Sequence, residues 1–228
     1  MNFLSHFYFE RTNPDHNMVM GVVLPDLVKN AHKDWNLNPH KQDILFENNL
    51  VHKSFLKGWN KHIEVDRLFH CSIFFKEQTA ILKQLILPAL GEGLVKPFFL
   101  AHIALELVLD HLLITTGKVN VTTFYAQLSK ANTEELQAFL VLAGIDDIML
   151  FNKFLNGYIS SKYLLSYQKA ENIAYALNRI CMRLWPDPFT DAQLLQLTVG
   201  IRAYIKTLDE DFLLIFNQLE TTASMKAF

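Results

Sequence analysis

The chain has 228 residues, and 50% of them are hydrophobic. That is ample for a sizeable core and excludes a disordered polymer. Lys and Arg number 21 against 23 Asp and Glu, a net charge of -2 that argues against a broad electrostatic grip on nucleic acid.

Residues 1–9 are apolar but broken by His6 and followed at once by Glu10 and Arg11, so they do not read as a secretory leader. The apolar period is helical almost throughout. A first helix is expected over residues 2–10, then a loop at 12–17 built on Asn13-Pro14-Asp15. A second helix covers 18–29, with Pro25 in or near a kink. After a loop at 36–40, a long helix runs over 43–66, bent near Gly58 and extending as far as Phe75. The next spans 76–90 and ends at Gly91-Glu92-Gly93; Pro97 opens one over 98–115. Asn132 with Glu135 and Thr190 with Gln193 have capping-box spacing. Further helices are expected over 146–168, 169–184 and 191–220, with a frayed tail at 221–228. The expected fold class is all-α: a single-domain multi-helix bundle over residues 1–220. The apolar run 98–114 contains His102, Glu106, Asp110 and His111, too polar for an expected membrane span. Cys71 and Cys181 are the only cysteines, which fits a reducing, cytoplasmic setting.

Two of these helices carry acids and histidines in one register. His62, Asp66 and His70 follow each other at four-residue steps, as do His102, Glu106 and Asp110, with His111 beside the last. Positions i and i+4 share a helix face. A face of that kind amid Leu, Ile, Val and Phe is explained by a divalent metal site, which takes imidazole nitrogen and carboxylate oxygen. With His6 and Asp26 the candidates exceed the needs of one ion. Along a helix i and i+8 lie ~12 Å apart, so His62 and His70 cannot hold one ion together. The feasible pairs are His62–Asp66 or Asp66–His70, and His102–Glu106 or Glu106–Asp110. The remaining acids would orient histidines. His16, His32, His40 and His52 sit in polar contexts and read as surface.

Four segments resemble, in order, the acyl carrier protein phosphodiesterase family. Met1-Asn2-Phe3-Leu4-Ser5-His6 is similar to its MNFLAH start, and Gly21 through Lys29 to its GNLLADFVKG segment. Gly58, His62 and Asp66 match its G-x-x-x-H-x-x-x-D spacing, and Asp110-His111-Leu112-Leu113 resembles its D-H-F-L. The resemblance implies an HD-domain-like helical core and a divalent ion (Mn, Zn or Fe). It implies release of 4′-phosphopantetheine from acyl carrier protein, or hydrolysis of another phosphodiester. By the same resemblance His6, Asp26, His62, Asp66 and Asp110 line the metal site, with His70 a further ligand type. Asp66 is expected to act catalytically, and Glu106, His102 or His111 to protonate the leaving group. The chain departs from the family at Ile63, where the family has Arg, at His70, where it has Asp, and at Pro25. Arg179, Arg183 and Arg202 are the arginines that could replace the phosphate contact. Two other readings are a non-catalytic protein that keeps the scaffold and a zinc-dependent phospholipase C-like hydrolase.

Overall fold

Side-chain caps decide where this chain begins to coil. The computed structural model describes residues 1–91, 93–208 and 211–225. Among them are eleven α-helices and no strand, so the all-α reading holds. The described residues gather into two compact units.

One unit comprises residues 2–66 and 119–164. It holds α1 (Phe3–Tyr8), α2 (His16–Ala31), the first part of α3 (Leu50–Cys71), α6 (Val121–Ser129), α7 (Thr133–Leu142) and α8 (Ile148–Ser161). Asp15 caps α2, its carboxylate accepting from the Asn17 and Met18 amides at 3.0 and 3.2 Å. Asn120, Asn132 and Asp147 cap α6, α7 and α8 in the same way. The core is aromatic: Phe7 meets Phe124 at 5.1 Å, Phe3 meets Tyr158 at 4.9 Å, and Phe139 lies between Phe46 and Phe55 at 4.6 and 5.6 Å. Tilted ring pairs at such separations add to the area they bury.

Gly21 of α2 and Gly58 of α3 set the approach of those two helices. A Cβ on Gly58 would stand 2.3 Å from the Met18 carbonyl and 2.6 Å from the Val22 amide; one on Gly21 would stand 2.3 Å from the Phe55 carbonyl. Only hydrogen fits at either place. Gly58 therefore marks a helix crossing, where sequence reading expected a bend, and α3 is a continuous helix through it. Likewise α2 runs unbroken past Pro25.

The other unit comprises residue 1, residues 67–118 and Leu165–Phe228. It holds the end of α3, then α4 (Ile73–Leu90), α5 (Pro97–Thr115), α9 (Ala170–Cys181), α10 (Asp191–Leu208) and α11 (Phe212–Met225). α4 packs on α5 and α10, and α9 on α5 and α10. Ser72 caps α4 through the Phe75 amide at 3.0 Å. Thr190 and Gln193 form the expected reciprocal box at the start of α10, the Gln193 side-chain Oε1 accepting from the Thr190 backbone amide at 2.9 Å and the Thr190 hydroxyl from the Gln193 backbone amide at 3.3 Å. By length and composition α5 could cross a bilayer, but 61% of its most apolar stretch is buried inside the protein. In α11 the buried residues Phe212, Ile215, Phe216 and Leu219 follow helical spacing.

Three expected helices are divided. The one expected over 43–66 opens as a 3-10 turn, Asp43–Phe46, before α3 starts at Leu50. The 146–168 helix stops at Ser161, because Lys162 turns left-handed at φ 48°, and resumes as the 3-10 segment Tyr163–Gln168. The 191–220 helix divides into α10 and α11. The last of these reaches Met225, and residues 226–228 of the expected tail lie outside the described residues.

Candidate metal centre

α1, α2 and α3 bring His6, Asp26 and His62 to one place. One ligand atom of each lies within 4.8 Å of the others. Asp66, one turn beyond His62, is 3.8 Å from His6 Nε2 through Oδ1. The two imidazoles form the inner wall, with side chains 1% and 9% exposed, and the Asp26 and Asp66 carboxylates the outer one at 28% and 36%.

The geometry fixes which nitrogen of His62 must bear a proton. Its Nδ1 lies 2.7 Å from the Val22 carbonyl, and a carbonyl can only accept. Nδ1 therefore carries a proton, and whenever the ring is neutral its Nε2 presents a lone pair on the side of Asp26 Oδ1, 3.9 Å away. The glycine crossing explains why the carbonyl is within reach: with no side chain at Gly21 or Gly58, His62 sits directly against the α2 backbone. Pro25 has no amide hydrogen, so the Gly21 carbonyl of this turn of α2 lacks its helical donor. His6 stacks on His62 with ring centroids 3.7 Å apart and planes 18° from parallel, an arrangement that disfavours two imidazolium charges.

In the neutral tautomer, His62 Nε2 and Asp26 Oδ1 are two donor atoms 3.9 Å apart, a pairing that positive charge between them would stabilise. Nitrogen and oxygen donors of this kind suit zinc, manganese or iron. The Val22 carbonyl supports the His62 ring from behind, as the outer partner of a ligating imidazole usually does. The donor set fits a divalent ion.

His70, His102 and Glu106 form another group, at the end of α3 and on α5, in the unit that also holds Asp110 and His111. The separation of His62 and His70 into different groups follows the helix-rise argument. Burial tends to raise the Glu106 carboxyl, but the Met1 ammonium at 3.1 Å and hydrogen bonds from His102 and His70 outweigh it and hold Glu106 well below the usual carboxylate range. Asp110 is fully buried on α5 and is not part of this group. Burial pushes the His111 imidazole down, an effect partly offset by its Nδ1 donating to the Tyr167 carbonyl at 2.6 Å. Arg202 is ion-paired with Glu171 on an exposed face.

Sequence reasoning missed the Val22 carbonyl, since any residue supplies one. It also placed His52 on the surface. His52 is buried, its Nε2 2.9 Å from Glu135 on α7, a partner too distant in sequence to be anticipated.

The family model described as acyl carrier protein phosphodiesterase matches residues 1–219. No curated protein and no solved structure matches the chain.

Proposed function

The chain belongs to the acyl carrier protein phosphodiesterase family, and from that membership we propose that it is a metal-dependent hydrolase that releases 4′-phosphopantetheine from acyl carrier protein in the cytoplasm. The observation that carries the metal-dependent part is the His6–Asp26–His62 group, with its donor atoms within 4.8 Å of one another and the His62 Nδ1 proton committed to Val22, which leaves Nε2 as the ligand atom.

When bound, a divalent ion supplies charge stabilisation at the phosphoryl oxygen and lowers the pKa of the attacking water. His62 offers Nε2 with its lone pair fixed, because Nδ1 is committed to Val22. Asp26 Oδ1 offers the carboxylate charge opposite it. Asp66 is the most open of the four side chains and lies near His6 Nε2; in this reading it takes the proton of the water at Oδ1. In the reaction, a new bond forms between water oxygen and phosphorus as the bond from phosphorus to the carrier serine oxygen breaks. The serine oxygen takes up a proton, and 4′-phosphopantetheine leaves as the monoester.

The test is intact-mass measurement of holo-acyl carrier protein after incubation with metal-replete enzyme, alongside bis-p-nitrophenyl phosphate as a substrate without a carrier. Wild type with manganese is expected to convert the holo form to the apo form. Asp66→Asn, with its fold retained, is expected to lose at least ~100-fold in rate, the scale of one general base. An unchanged rate in Asp66→Asn removes that residue's role. Failure of wild type on the carrier, with bis-p-nitrophenyl phosphate still cleaved, overturns the carrier as substrate.

A further inference from the structure

The group on the end of α3 and on α5 has three mutual contacts that hydrogen bonds within the group cannot all be. His70 Nε2 and His102 Nε2 are 2.9 Å apart, and each faces the same Glu106 oxygen, at 3.2 and 3.0 Å. An imidazole nitrogen has one in-plane direction, which holds either a proton or a lone pair. At most two edges of this near-equilateral triangle can be hydrogen bonds. If both rings donate to Glu106, two N–H groups abut; if one ring donates to the other, one contact to the carboxylate is left over. A cation above the triangle satisfies all three atoms at once.

We propose that His70, His102 and Glu106 are a second divalent transition-metal site of the zinc type, built from residues other than the His6–Asp26–His62 group and independent of the hydrolytic reading. Two imidazoles and a carboxylate are a complete three-ligand set for zinc that leaves a fourth position for solvent. All three side chains are partly exposed, so an ion can enter and exchange. The rings are held in place in advance. Phe75 meets His70 and His102 edge-on at 4.9 and 5.0 Å, Phe69 braces His70 at 5.2 Å, and Phe98 lies 6.3 Å from His102. The Met1 ammonium also lies 3.1 Å from Glu106 Oε1, so an ion that binds at this oxygen displaces it.

The experiment is titration of the metal-free full-length protein with zinc against a chromophoric chelator. Wild type is expected to take two equivalents. His102→Ala and Glu106→Gln are each expected to weaken one of them more than ~10-fold, and His62→Gln to leave that one intact. Circular dichroism checks that each variant is folded. Should a variant fail to fold, zinc-induced change of the His70 and His102 ring nitrogen resonances in wild type gives the same reading. Binding of one equivalent that His62→Gln abolishes and Glu106→Gln does not touch overturns this site while leaving the hydrolytic proposal standing. Ring resonances that do not respond to zinc overturn it equally.

Discussion

At the scale of single residues, two side chains have states set by what they touch. His62 keeps a proton on Nδ1 because Val22 offers only a carbonyl to it. Glu106 is an anion because an ammonium and two imidazoles surround it in spite of its enclosure. The second has a stability consequence with a definite sign. The folded carboxyl lies below its unfolded value of about 4.5, so its contribution is complete above that pH. It is lost as pH falls through the folded value. Melting temperature followed from about pH 6 down to about pH 3 is expected to fall less steeply in Glu106→Gln than in wild type. Parallel profiles would show that Glu106 is not held down in the folded protein.

At the scale of elements, the crossing of α2 and α3 connects folding to chemistry. Gly58 presses on the α2 backbone between Met18 and Val22, and the same approach brings Val22 within 2.7 Å of His62 Nδ1. Gly58→Ala forces backbone against backbone, since no flexible side chain is there to yield. It is expected to cost at least ~1–3 kcal/mol, the usual range for overpacking, and to lower metal affinity by displacing His62. Thermal melting and metal titration of this variant should fall together; a native-like variant with full affinity would show that the crossing does not position the site. From sequence alone Gly58 reads as a bend, because a glycine's local freedom is visible in sequence and a neighbour's backbone is not. The four-residue steps of His102 and Glu106 were readable for the opposite reason: they depend only on the helix to which both belong.

At the scale of the whole molecule, the helical class was legible from period and caps, and the family from four short ordered segments that agree with a match over residues 1–219. Helix ends were less legible. Lys162 terminates α8 in a left-handed conformation that nothing in the side chain of lysine announces. The assortment of candidate ligands was least legible. His62 and His70 occupy one helix in one register, yet each unit of the chain collects its own group. Register along a helix limits which residues can share an ion; only the packing of other helices selects the third ligand. The central claim is that His6, Asp26 and His62 hold a divalent ion. Anomalous diffraction from manganese-loaded crystals, recorded on both sides of the metal edge, tests it most directly. The account predicts a peak within bonding distance of His62 Nε2 and Asp26 Oδ1. An active, manganese-loaded protein with no peak there would contradict it.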